Sequence, residues 1–173
     1  LPDVQAPGDG RLTLWPSAED VWDNQSVCSP CLVVRGGRYF LYYRGRQRGQ
    51  SPEQSRIGLA VAADPGGPFD KHKANPLLDA GGEVCVWPQR RGVAALLAPV
   101  GPEGGTLQYS SDGVRFTRQA QVVPPVAPGP FRADGYQSDA WGKGITWGLC
   151  HNVTSRPAPF LMRFDCDLRA VEW

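Results

Sequence analysis

A repeated plan constrains this chain more than any other feature. Three acidic residues, Asp23, Glu83 and Asp139, stand 60 and 56 positions apart, and each heads a stretch of strand and turn signals. In the first stretch, β-prone runs at 31–35 and 38–43 flank Gly36-Gly37 and read as a tight hairpin. A third strand follows at 57–62, then a turn at 64–68 and Phe69. The second stretch predicts strands at 83–87, 93–97, 106–110 and 114–117, with turns at 89–92 and 111–113. The third is looser, with strands at 144–150 and 159–165. About four strands per repeat is the signature of propeller blades. The expected fold is therefore all-β, a partial β-propeller of about three blades over residues 20–80, 81–135 and 136–173, forming one domain. An ordinary β-sandwich with similar turn spacing is the alternative. Propellers close with about four to eight blades, and an open arc leaves strand edges unpaired. Ring completion is thus expected from a second copy, giving a homodimer, or from a missing N-terminal half.

Composition narrows the function classes. The net charge is +1, and acidic and basic residues are intermixed, so a nucleic-acid partner is not expected. The densest basic cluster, Arg44, Arg46 and Arg48, reads as a solvated hairpin end. No run of 18 apolar residues marks a membrane span. Leu1 is not a methionine, so the start reads as missing, processed or cut, and a removed signal peptide would leave no trace. Of the five cysteines, Cys28 and Cys31 have C-x-x-C spacing while Cys85, Cys150 and Cys166 stand alone. Four-ligand zinc spacing is missing, and small buried hydrophobes or a local disulfide remain open. Asn152-Val153-Thr154 fits a glycosylation sequon, a triplet common by chance.

In propellers the first strand of each blade lines the central channel, so Asp23, Glu83 and Asp139 are candidates for one shared cavity. Glycoside hydrolysis needs two carboxyl groups flanking the scissile bond, one ionised and one protonated. Acidic residues beside strands are equally at home in plain turns. Trp22, Trp87, Trp141 and Trp147 lie beside those acids or on inner-strand candidates, where indole faces could stack on sugars or fill gaps between blades. His151 ends an inner-strand candidate, and His72 reads as a solvated loop residue. No G-x-S-x-G elbow or P-loop is present.

An ordered set of motifs then carries a family resemblance. They are Trp22-Asp23-Asn24-Gln25-Ser26-Val27, Arg38-Tyr-Phe-Leu-Tyr-Tyr-Arg-Gly45, Ile57-Gly-Leu-Ala60, Gly67-Pro68-Phe69, Asn75-Pro76 and Gly82-Glu83-Val-Cys-Val-Trp87-Pro88. They continue through Asp112-Gly113 with Phe116, Phe131-Arg-Ala-Asp134, Gly144-Ile-Thr-Trp-Gly-Leu-Cys-His151 and Arg163-Phe-Asp-Cys-Asp-Leu168. Together they resemble the C-terminal part of glycoside hydrolase family 117, the α-1,3-L-neoagarooligosaccharide hydrolases. The resemblance implies a five-bladed propeller involved in agar degradation. Such an enzyme releases 3,6-anhydro-L-galactose from neoagaro-oligosaccharides with inversion. It implies that Asp23 is the acidic residue that positions groups and tunes pKa, and that Glu83 belongs to the proton-donor region. Trp22, Gln25, Trp87, Trp147 and His151 would then contact the oligosaccharide substrate. A hydrated divalent cation in the central channel near His151 would be an optional occupant, and no other cofactor or protein-bound metal is expected. The location would be the periplasm, the exterior or the cytoplasm of a bacterium. Two departures stand out. The family usually has a His immediately before the glutamate, where this chain has Gly82. The family's general-base aspartate falls upstream of Leu1, so the isolated chain is expected to be inactive or slow unless completed. A non-catalytic carbohydrate-binding half-propeller is the competing expectation.

Overall fold

The computed structural model describes residues 14–132, 141–152 and 160–169. Among them are antiparallel strands and one short 3-10 turn. The first sheet has four strands in the order β1 (Ser26–Arg35), β2 (Arg38–Arg46), β3 (Arg56–Ala62) and β4 (Asp70–Lys71). Its leading hairpin turns where expected. Gly36 and Gly37 sit at φ +52° and +67°, and two successive positive φ values give the turn whose twist matches that of the flanking strands. The β1–β2 ladder shifts register between Cys28 and Cys31, where Ser29 is also left-handed at φ 52°.

The second sheet repeats the plan with β5 (Val84–Arg90), β6 (Gly92–Leu97), β7 (Thr106–Ser110) and β8 (Thr117–Gln121). Its last strand begins three residues later than the sequence suggested. The Asp112 carboxylate accepts the backbone N–H groups of Val114 and Arg115, each at 2.8 Å, and this holds the chain in a turn. Val114 and Phe116 instead pack on the core.

The third group differs more. β10 (Gly142–Asn152) pairs with β11 (Phe160–Arg169) and with β9 (Val126–Pro130). β9 lies within the stretch 81–135 assigned to the second repeat, where no strand was expected at these residues, and it pairs with β10. β10 also meets β5 through the pairs Gly142↔Arg90 and Lys143↔Gln89, which links it to the second sheet. A Cβ on Gly142 would lie 2.5 Å from the Pro88 carbonyl carbon, so only glycine allows this approach.

Period-2 alternation explains where the core sits. Val84 and Val86 of β5, with Val93, Ala95 and Leu97 of β6, face Val33, Tyr42, Ile57 and Leu59 of the first sheet. The intervening Cys85 and Trp87, with Ala94 and Leu96, face Leu107 and Ile145, with Cys166 and Leu168 alongside. The β5–β6 hairpin is thus enclosed on both faces, which is why these two strands read as nearly continuous apolar runs.

Candidate active site

Asp23 lies in the turn that leads into β1 and is fully buried. The fold makes room for it with two glycines. A Cβ on Gly45 would lie 2.6 Å from the Asp23 Cβ, and one on Gly58 would lie 2.6 Å from two atoms of the Trp22 ring. Trp22, half-buried, stacks on Tyr43 with centroids 5.6 Å apart. The contacts at Gly45 and Gly58 require glycine at both positions.

One carboxylate oxygen of Asp23, Oδ2, receives two donors. The Tyr43 hydroxyl donates at 2.9 Å, and Lys71 Nζ forms an ion pair at 2.5 Å. Lys71 also donates to Ser17 Oγ at 2.9 Å. Asn75 Nδ2 donates to the Tyr43 hydroxyl oxygen at 3.3 Å and to the Leu59 carbonyl at 2.9 Å. Burial, and then the adjacent Asp23 carboxylate, push the Tyr43 hydroxyl above the usual phenol range. The second oxygen of Asp23, Oδ1, is buried and has no hydrogen-bond partner among the described residues. A carboxylate held this way is fixed in orientation and closed to solvent, so it suits a positioning role more than direct contact with a ligand.

Glu83 has different surroundings. It is exposed at the head of β5 and lines a cavity of about 290 Å³ with Cys31, Cys85 and Arg132. Its carbonyl accepts the Ala98 N–H at 3.0 Å, which anchors the backbone while leaving the carboxylate outside the core. The side chains that bind Asp23 are not among those lining this cavity. Gly82, next to Glu83, is buried, and a Cβ there would lie 2.5 Å from the Ala98 Cβ. The local packing therefore leaves no space for the histidine that the resemblance would put at this position.

The remaining candidates separate by burial. Trp87 is fully buried, and its indole N–H donates to Gln89 Oε1 at 3.0 Å. This corrects the expectation of a sugar-facing ring, because odd and even positions of β5 both point into packed layers. Gln25 is exposed, and its backbone N–H is bound to the Arg46 carbonyl at 3.0 Å. Trp147, half-buried on β10, stacks on Phe131 at 4.9 Å and interplanar 12°, with the Arg163 guanidinium 4.9 Å from its ring centroid. His151 is exposed on β10, opposite Leu161. No group of three or more His, Cys, Asp and Glu that could hold a metal ion occurs among the described residues. Asp139 and Asp134 lie outside the described residues, as does most of the Asn152–Thr154 sequon. All five cysteines are free thiols, with Cys28 exposed and Cys85 and Cys150 buried.

Sequence reasoning missed the two partners of Asp23, Tyr43 and Lys71, and the Asn75 side chain that donates to Tyr43. Tyr43 and Asn75 were inside recognised motifs but had no signal for their role. Lys71 sits in a two-residue strand, 48 positions from the aspartate it pairs with, and nothing local marks it.

No family model matches the sequence, and no curated protein matches it. Solved structures do. One is a family 117 glycoside hydrolase produced by the marine bacterium Zobellia galactanivorans, with TM-score 0.79 and 38% identity, over 89% of this chain and 46% of that one. A GH43 protein from Bacillus licheniformis aligns with TM-score 0.53 and 16% identity, over 83% of this chain and 28% of that one, a likeness of fold alone. The chain thus spans about half the length of the first of these structures. Motif order, antiparallel all-β architecture and structural likeness agree: the chain is related to glycoside hydrolase family 117.

Proposed function

We propose that the chain contributes half of a family-117-type active site in a five-bladed propeller, completed by further chain or by a second copy. The reaction is hydrolysis of the α-1,3 bond of neoagaro-oligosaccharides, with release of 3,6-anhydro-L-galactose. The observation that carries this reading is the 38% identity maintained over 89% of the chain. Glu83, solvent-facing at the head of an otherwise enclosed strand, is the carboxyl group available to a ligand. Asp23 acts through its fixed orientation. In an inverting site the two carboxyl groups that do chemistry stand roughly 6.5–9.5 Å apart, leaving room for the attacking water.

A second reading has its own support. Gly82 has no space for a side chain, so the histidine associated with the acid step has no counterpart here. A carbohydrate-binding half-propeller without turnover fits that feature. Incubation of the purified chain with neoagarobiose, alone and with the remaining blades supplied, with assay for released 3,6-anhydro-L-galactose, separates the two. Turnover abolished by Glu83→Gln and strongly reduced by Asp23→Asn supports the hydrolase. Saturable binding without turnover by the chain alone fits either reading, and turnover that appears only when the remaining blades are supplied decides for the hydrolase; no turnover even then, with binding retained, decides for the binding module.

A further inference from the structure

The cavity at Glu83 has a second chemical feature. Cys31, at the register shift in β1, lines it together with Cys85 of β5. Cys31 Sγ accepts a hydrogen bond from Arg132 Nη2 at 3.2 Å and from the Val86 backbone N–H at 3.4 Å. Arg132 is itself anchored, because its Nη1 donates to the Leu32 carbonyl at 2.9 Å. The Cys85 thiol lines the same cavity. The one acceptor near the sulfur among the described residues, the Val86 carbonyl, is farther off at 3.8 Å, and a sulfur with a guanidinium and a backbone N–H directed at it is in surroundings that suit S⁻.

The titration follows that geometry. The hydrogen bond from Cys85, with Arg132 and the Val86 N–H, outweighs burial and lowers the Cys31 thiol to about 6. The same bond, then burial, raises the Cys85 thiol, so one thiol serves as donor and the other as thiolate. The other ionisable groups facing Cys31 are Glu83 at the cavity wall and Tyr42, its partner across the β1–β2 ladder. The Tyr42 hydroxyl donates to the Gly113 carbonyl at 2.7 Å, and burial raises it above the phenol range, so it stays neutral throughout.

We propose that Cys31 is a nucleophilic thiolate site, held by Arg132 and opening into the Glu83 cavity, that takes small soft electrophiles. With an alkyl halide, the thiolate attacks the halide-bearing carbon, an S–C bond forms, the C–halogen bond breaks and halide leaves. No oxidant is involved. The site shares the Glu83 cavity but does not depend on the glycosidase reading, because its readout is labelling and not sugar turnover.

Peptide mapping by mass spectrometry after brief treatment of the full chain with iodoacetamide, across pH 5 to 9, tests it. At pH 6 a thiol titrating there is half ionised, against roughly 0.3% for an ordinary thiol, an advantage of about 150-fold. Lower intrinsic nucleophilicity removes about tenfold of that, leaving on the order of tenfold. The expected result is a Cys31 labelling midpoint near 6, and faster labelling at pH 6 than at the exposed Cys28 by about that tenfold. Arg132→Gln should move the midpoint upward, and Arg132→Lys should hold it low. A Cys31 midpoint at or above about 8, the ordinary thiol range, overturns the proposal. So does a midpoint that Arg132→Gln leaves unmoved in a protein whose circular dichroism is unchanged. If Arg132→Gln does not fold, the parent and Arg132→Lys midpoints still decide.

Discussion

Lys71→Met is the perturbation that tests the Asp23 cluster most directly. Lys71 is the single cation paired with Asp23 among the described residues, and the aspartate side chain has no exposure at all. Methionine preserves most of the stem volume and removes the charge. Asp23 is then left with the Tyr43 hydroxyl on one oxygen and nothing on the other. Removing one partner of a buried ion pair costs roughly 3–5 kcal/mol, because the remaining charge is uncompensated. A quarter of the Lys71 side chain remains in water, which puts the expectation at the lower end, about 3 kcal/mol. For a chain of this size that corresponds to a drop in Tm of roughly 6–12 °C. Denaturant unfolding of four proteins measures it: the parent, Lys71→Met, Asp23→Asn and the double variant. The double variant should recover most of the loss, since asparagine carries no charge to strand. A Lys71→Met cost below about 1 kcal/mol, or strictly additive single losses, would refute the idea that this pair is coupled and buried.

Two further predictions follow from other parts of the structure. Gly82→His should lower stability by about 1–3 kcal/mol without raising glycosidase turnover, since the new Cβ meets Ala98; a stable variant with increased turnover would show that the cavity wall yields. The Tyr42 and Tyr43 hydroxyls titrate higher in the folded protein than in the unfolded chain, where a phenol ionises near pH 10. Their contribution to stability is complete below about pH 10 and is lost as pH rises above it. Denaturant midpoints between pH 9 and 11 should fall, and fall less steeply in Tyr43→Phe.

The sequence revealed most where chemistry is local. Gly36-Gly37 marked the first hairpin because only glycine takes two positive φ values without strain, and the strand at 106–110 was placed to the residue. Pairing between distant segments was not legible. Nothing in 126–130 indicates that it joins β10 and not the sheet before it, because strand partnership is set by tertiary packing. Trp87 misled for a related reason. An aromatic four positions after an acidic residue looks the same in sequence whether its strand has one buried face or two, and here it has two. The Cys31 cluster assembles from positions 31, 85 and 132, so treating the cysteines as small hydrophobes was the natural reading of each one alone.

The enclosure of β5 and β6 also limits how this protein can change over evolutionary time. A strand with one wet face can drift on that face while its inner positions hold the core. These two strands have no such free side: Ala94 and Ala95 are adjacent in sequence yet answer to different layers, and both are fully buried. A larger residue at either position must be accommodated by a different set of neighbours, and neither set can relax into solvent. Tolerance for substitution is therefore concentrated on β8 and β11, whose residues are largely exposed, while the hairpin behind Glu83 has the least latitude to vary.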